Sequence, residues 1–455
     1  MSGLFSIKNR LWLLVLLVVS SGLVPVRAQE VVDYWPEAEW RVSTPEEQGL
    51  NSAVLAEMIA AIQRDAWPVH SVTVIRNGYQ VLDVYFHPYS AQVPHAMWSV
   101  TKSITSSLVG IAIAQGKIKS VDQPVLDFFP EYDPADLDPN FQKLQLKHLL
   151  TMTSGLDCAD DGASAGWANS SNWVQFVLTH PTSAEPPAEF AYCNQASHLL
   201  AAIVERAAGT PTLEFARQNF FEPLGITQYS WDTDPQGTAV GAWGLQLTPQ
   251  DMAKIGYLYL HGGQWNGQTI VPESWVTAAT SLQSQKEDGS RYGYQWWVNP
   301  DEGYFAAHGY RGQMIGVVPE KNLLVIVTGA LADDQSPDDL LRKYVLPAIQ
   351  TDDALPPNTE ATTRLTSAVA AAAHPAPTQL PLLPPIAQKI SGKTFPVIQN
   401  IGLFDALIPH FTAASATATF TFIIGSDTVD LTVGLDGVYA INETQVPLAL
   451  RASWK

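Results

Sequence analysis

Residues 97–116, MWSVTKSITSSLVGIAIAQG, have the pattern of one helix: apolar side chains recur at three- and four-residue spacing through Val100, Ile104, Leu108 and Ile111, and Gly116 closes it. Strand-forming sequence lies on both sides of it. Upstream, residues 71–86, SVTVIRNGYQVLDVYF, set two β-branched and aromatic runs around Asn77-Gly78, the strongest short signal of a hairpin. Downstream, GYQWWVNP, EGYFAAHGYRG and QMIGVVPEKNLLVIVTGAL carry turn residues at Asn299-Pro300-Asp301 and Pro319-Glu320-Lys321-Asn322, so three more strands are expected as a meander. Between the two strand blocks, SNWVQFVLTH, SHLLAAIVERAAG and TPQDMAKIGYLYLHGG are helical in period as well. A sheet assembled from both ends of a domain, with helices inserted, gives the expected fold class: α/β, an antiparallel sheet flanked by helices, plus an all-helical lobe and a cleft between them.

At 455 residues the chain exceeds what one core usually supports, so more than one structural unit is expected. With 46% hydrophobic and 15% charged residues it suits a packed globule and not a disordered chain. Lys8 and Arg10 precede an apolar run from Leu11 to Val19, and Val26-Arg27-Ala28 supplies a small-x-small cleavage site. Residues 1–28 are therefore expected to be a signal peptide, its apolar run too short for a bilayer span of roughly 20 residues. The protein is expected to be exported, periplasmic or extracellular, with no stable membrane insertion once the leader is removed. Loss of the leader removes Lys8, Arg10 and Arg27 and no acid, which makes the formal net charge of -19 more negative still. Such a surface repels phosphate backbones and anionic headgroups, which argues against a nucleic-acid partner.

Residues 29–350 make up the main domain. After Ile349 the composition turns to Ala, Thr and Pro, and 351–389 is expected to be an Ala/Pro-rich linker entered from a helix end. Alternation returns from Ile390, in TATFTFIIGSDTVDLTVGLDGVYAIN with a turn at Gly425-Ser426-Asp427, so 390–455 is expected to be a small β-rich domain. It still alternates at LALRASWK, so its sheet is expected to be incomplete and to expose an edge.

Ser99 and Lys102 form the only Ser-x-x-Lys of the chain, and at the start of a helix the i, i+3 spacing puts both on one face. A serine hydroxyl needs a base, and a lysine serves when burial depresses its pKa; Trp98, Ile104 and Leu108 are expected to provide that burial. The alternative is a surface lysine beside a capping serine. Tyr192-Cys193-Asn194 is the only Tyr-x-Asn: the phenol can relay a proton and the amide can orient substrate or lysine, unless Asn194 merely caps the next helix and Tyr192 packs in the core. Ser170-Ser171-Asn172 fits a Ser-x-Asn variant, but its Asn suits a cap for WVQFVL. Residues 307–313, AHGYRGQ, fall on an expected edge strand whose glycines admit a substrate backbone, with His308, Gly309, Tyr310 and Arg311 as candidate binding residues; a β-bulge is the competing account. The amides of Ser99 and Tyr310 would then make an oxyanion hole.

These three pieces, in this order, resemble the serine β-lactamase, DD-peptidase and related esterase superfamily, most closely its class-C-like branch. HLLTMTSGL, FEPLGI, GLQLTPQDMAKIGYLYL, GYQWWV and HGYRGQ are similar to that branch's secreted hydrolases, over roughly residues 40 to 350. The resemblance implies that Ser99 is acylated, that Lys102 and Tyr192 share acid and base duty, that Asn194 binds the substrate amide or orients Lys102, and that water releases the acyl group without a cofactor. Penicillin-recognising members carry Lys-Thr-Gly on the third strand. With Gly309 at that glycine, Ala307 stands at the lysine position and His308 in the middle, which favours a small neutral ester or amide over β-lactams or cell-wall stems; Arg311, as a replacement cation, keeps carboxylate substrates open.

Cys158 and Cys193 are too few for a cysteine-built zinc site, and none of the 10 His forms a His-Glu-x-x-His pair, so no metal is expected. Export favours a bridge between the two cysteines, tying two site loops together, over two buried free thiols. Gly162-Ala163-Ser164-Ala165-Gly166 matches a nucleophile elbow, but no buried strand precedes it and no helix is expected after it. From another class, the chain would be a binding or sensor module of the same fold that acylates without turnover.

Overall fold

The computed structural model describes residues 34–36, 39–159, 161–162, 166–377, 382–397, 404–444 and 448–452. The leader expected at 1–28 and Ser164 of the elbow pattern lie outside the described residues. Helix α1 (Ser52–Arg64) leads into the hairpin of β1 (Val69–Arg76) and β2 (Tyr79–Tyr85). Asn77 and Gly78 turn it with φ of 52° and 73°, the left-handed pair that matches strand twist. The short β3 (His95–Ala96) precedes α2 (Val100–Ala114), and a helical region follows that contains α3 (Asn194–Ala208). The chain then passes through β4 (Leu245–Leu247) and α4 (Pro249–Leu260) to β5 (Ser284–Gln285), β6 (Arg291–Tyr292), β7 (Trp297–Asn299), β8 (Tyr304–Gly309), β9 (Gln313–Val318) and β10 (Leu323–Gly329).

These strands build one antiparallel sheet of eight in the order β2-β1-β10-β9-β8-β7-β6-β5, so the first and last strands of the domain meet where β1 pairs β10, Val72 opposite Val327. Val72, Val74, Val325 and Val327 project to one face and pack with Leu55, Ile59 and Ile62 of α1. On the other face α4 lies against β9 and β10, with Gly256 over Ile315 and Leu324. Helix α2 runs through the centre, its residues Val100 to Ala112 all buried. None of these residues faces solvent, and two hydroxyls of the helix bond to neighbouring elements: Ser103 Oγ donates to the Gln295 carbonyl at 2.6 Å and Thr105 Oγ1 to the Gly241 carbonyl at 3.0 Å.

Two expectations change. The stretch from Tyr304 to Val318 folds as two strands instead of one, because Tyr310-Arg311-Gly312 forms a turn with φ of 60° at Arg311 and 91° at Gly312. Gly312 is the one turn residue of the three, and with Tyr and Arg before it the segment reads as a continuous strand. The segment 351–389 is no free linker. Leu355 N–H donates to Glu46 O at 2.7 Å, buried Arg76 pairs with Asp352 at 2.7 Å, and Thr359–Ala373 forms helix α5, capped by Asn358, with Leu365 and Ala372 in the core. Alanine is the strongest helix former, and α1 offers the apolar surface that its sparse large residues need. Beyond a short helix at Pro385–Ile390, strands β11 (Phe395–Pro396), β12 (Ala406–His410), β13 (Thr417–Ile424) and β14 (Asp427–Gly434) form an antiparallel meander, its last hairpin turning at Gly425-Ser426.

Candidate active site

The site begins with a kink. Trp98 takes φ of 47°, a left-handed conformation that costs a bulky residue roughly 1–3 kcal/mol and presents the next side chain, Ser99, at the N-terminus of α2. One turn on, Lys102 is wholly buried. Its Nζ is 3.1 Å from Ser99 Oγ, 2.6 Å from Asn194 Oδ1 and 2.9 Å from the Ala242 carbonyl. Burial pushes the ammonium down to about 7, against a smaller upward pull from the Asp161 carboxylate. A neutral amine has two N–H bonds and one lone pair. The Asn194 and Ala242 oxygens only accept, so they take both N–H bonds and leave the lone pair facing Ser99.

Tyr192 sits beside this pair, its ring centroid 4.9 Å from Lys102 Nζ and stacked on Trp297 at 6.0 Å. Burial holds its hydroxyl well above the ordinary phenol range, partly offset by a hydrogen bond with Ser99. Asn194 opens α3, but its side chain does not cap the helix. That position belongs to Cys193, while the rival Asn172 caps its own helix by accepting from Gln175 N–H at 2.9 Å. Cys158 and Cys193 form a disulfide. Asp161, Cys158 and Cys193 cluster closely, but the two sulfurs are spent on each other, which leaves no thiolate for a metal.

The opposite wall is the end of β8. Strand β7 pairs β8 only at residues 304–306, so 307–309 have no partner on that side among the described residues. Gly309 lies against the loop before the nucleophile: a Cβ there would stand 2.2 Å from the Met97 carbonyl, so any other residue would push the strand off Ser99. Among the described residues, neither the Ser99 nor the Tyr310 N–H donates a hydrogen bond. Tyr310 is 53% exposed and edge-on to Trp98 at 5.5 Å, forming an aromatic rim, with Arg311 beside it.

Two expected site residues are placed differently. Trp98 is 39% exposed and stands at the rim, whereas Ile104 and Leu108 are wholly buried. His308 shares its β8 face with Tyr304 and Ala306, the face packed towards α1, and its Nε2 is 3.4 Å from Asp338 Oδ2. Burial raises the Asp338 carboxyl, but His308, Tyr304 and Ser336 together overcome it and hold the group well below the usual range. That imidazole braces the strand end from behind and is not turned towards Ser99.

Sequence reasoning passed over three contributors. The Ala242 carbonyl has no side-chain signature. Gln295, with φ of 64°, is buried and joins Ser197 Oγ to the Leu149 and Leu150 carbonyls. Asp161 lies in DCADD, where nothing in the spacing marks it.

The family model described as Beta-lactamase matches residues 55–348. A 6-aminohexanoate-dimer hydrolase from Paenarthrobacter ureafaciens is 25% identical over 285 residues, 57% of this chain and 72% of that protein. Esterase EstB from Burkholderia gladioli is 28% identical over 157 residues, 31% of this chain and 40% of its own. Among solved structures, the octameric penicillin-binding protein homologue from Pyrococcus abyssi superposes with a TM-score of 0.54 at 18% identity, covering 86% of this chain and 91% of that one.

Proposed function

The chain belongs to the Beta-lactamase family, and from that premise we propose that it is an exported serine hydrolase that cleaves a small ester or amide through an acyl-enzyme on Ser99. The observation that carries this reading is the wholly buried Lys102 amine, 3.1 Å from the Ser99 hydroxyl with its other contacts made to acceptors, where burial pushes the ammonium down to about 7. In the acylation step Ser99 Oγ bonds to the substrate carbonyl carbon while its proton passes to Lys102 Nζ. The carbonyl oxygen takes up the negative charge between the Ser99 and Tyr310 amides. As the carbonyl re-forms, the bond to the leaving alcohol or amine breaks and the leaving group takes a proton from Lys102, with Tyr192 as the relay. Water then attacks the acyl-serine and gives its proton to the same base, which restores Ser99 and frees the acid.

A neutral substrate is favoured by Ala307, buried and uncharged at the position where the penicillin-recognising relatives carry a cation. The relatives that hydrolyse an oligoamide and an ester support the same substrate range.

The test is to treat residues 29–455 with a fluorophosphonate probe and map the adduct by mass spectrometry, with Ser99→Ala and Lys102→Ala in parallel. A single adduct on Ser99, absent in Ser99→Ala and at least about a hundredfold slower in Lys102→Ala, is expected. No adduct, or one elsewhere, would sink the reading. Turnover of p-nitrophenyl esters, short oligoamides and a chromogenic cephalosporin would then order the substrate classes, and labelling without turnover would identify a sensor module.

A further inference from the structure

Lys102 can present its lone pair to Ser99 only while the Asn194 amide points its oxygen, and not its NH2, at Nζ. That orientation is fixed from behind. The Asp161 carbonyl is an acceptor only and lies 2.6 Å from Asn194 Nδ2, so the nitrogen must face it and the oxygen must face Lys102. A flipped amide would donate to Lys102, draw the lone pair to itself and leave Ser99 without a base.

Asp161 is itself gripped. Its carboxylate accepts from the N–H of Asn194, a short hydrogen bond, and from the N–H of Gln195 at 3.2 Å, two otherwise unpaired donors at the start of α3. Gln195 Nε2 returns a bond to the Asp157 carbonyl at 2.8 Å, and the Cys158–Cys193 disulfide closes the same two segments covalently. Four connections thus hold a loop whose one carbonyl aims a catalytic amide.

We propose that Asp161 is a positioning residue for the base: by clamping its own backbone onto the first turn of α3 it fixes the Asn194 amide and so aims Lys102 at Ser99. The inference rests on the hydrolase reading above. It also has an electrostatic side. The groups facing Lys102 are Ser99 from its own helix, Tyr192 and Asn194 from the start of α3, the Ala242 carbonyl, and Asp161, whose carboxyl burial raises to about 6. Among the described residues Asp161 is the one carboxylate with a resolved effect on Lys102, and it raises the lysine's pKa.

The experiment is the rate of fluorophosphonate labelling of Ser99 against pH in residues 29–455, for the wild type, Asp161→Ala, Asp161→Asn and Asp161→Glu, with each melting temperature recorded. Asp161→Ala releases the loop and should slow labelling ~30–100-fold, the loss expected for an ångström-scale misplacement. Asp161→Asn removes the charge, so Lys102 loses its proton at lower pH and the acid limb of the profile should move down by roughly half to one pH unit. Asp161→Glu keeps the charge and should hold the limb in place while the plateau falls about tenfold, because the longer side chain lifts off both amides. A structural cap alone would lower the melting temperature and leave the labelling plateau of the folded protein unchanged in all three.

A wild-type plateau in Asp161→Ala overturns the proposal. Should that variant not fold, a wild-type plateau in Asp161→Glu overturns it instead. Absence of labelling in the wild type would condemn the hydrolase reading and not this inference.

Discussion

The two sides of β8 bury polar groups in opposite ways. Towards the nucleophile, Lys102 is wholly buried with one carboxylate nearby, and each is displaced towards its neutral form: the lysine down to about 7, Asp161 up to about 6. Behind the strand, Asp338 is also largely buried but accepts from Tyr304 at 2.9 Å and Ser336 at 3.0 Å and faces His308, so it stays ionised. Desolvation is common to both sides. The difference lies in what reaches the carboxylate: at Asp338 the attraction of His308, joined by two hydroxyl donors, outweighs burial, whereas at Asp161 the hydrogen bonds do not, and this separates a group poised to exchange protons from one that fastens a strand.

The sharpest way to break this comparison is Lys102→Met. On the poised side the lysine costs stability and supplies chemistry, so the variant should lose about 10³ or more in Ser99 labelling yet melt about 2–4 °C higher at pH 7. The sign follows from linkage. Between about pH 7 and the ordinary lysine pKa of 10.5 the unfolded chain holds a proton that the folded one lacks, so wild-type stability rises with pH across that window. The gain from Met is therefore greatest at and below pH 7 and shrinks towards 10.5, which calorimetry at three pH values would read. A variant no more stable than wild type at pH 7 would mean that the burial of Lys102 is not costly.

On the braced side, Leu365→Ala in α5 should cost about 2–4 kcal/mol in denaturant unfolding while leaving the labelling pH profile in place. A cost near zero would return 351–389 to the status of a linker. Asp338→Asn should cost about 1–3 kcal/mol at pH 7. Because the folded carboxyl lies below its unfolded value of 3.8, that contribution is complete above about pH 4 and is lost on further acidification, so the gap to wild type should close there. A shifted acid limb in this variant would place Asp338 on the catalytic side after all. The smallest effect is at the rim. Tyr310→Ala should raise KM for an aryl ester about 3–10-fold with kcat nearly unchanged, since the ring offers contact area and no chemistry.

What the sequence discloses tracks how local the physics is. The α2 helix, the Asn77-Gly78 hairpin and the Ser99–Lys102 pair depend on residues within one or two turns of each other, and their spacing declares them. Tyr192 and Asn194 are legible as candidates, but the choice between capping and catalysis needs Cys193 seen in the cap and Lys102 seen at Oδ1. Asp161 is invisible because its importance is borrowed from partners 33 and 34 positions away. The α5 helix was hidden by its composition: Ala361, Leu365 and Ala372 carry its buried face, and alanine leaves little contrast in a hydrophobic pattern. His308 shows a third limit. A motif gives the strand and the residue, but which face the side chain takes depends on a register that the hidden turn at Arg311 resets.

Helix α2 has one more consequence. Ser99 is carried by a rod with no solvent-facing side, pinned by hydroxyls to the Gln295 carbonyl, the Gly241 carbonyl and the Tyr259 phenol, each from a different part of the chain. Sliding or tilting it by a fraction of a turn breaks all three contacts at once. The nucleophile therefore has no softened, half-active intermediate on the way to denaturation. Heat should silence the protein and melt it in the same cooperative step, so residual activity becomes a direct count of intact molecules.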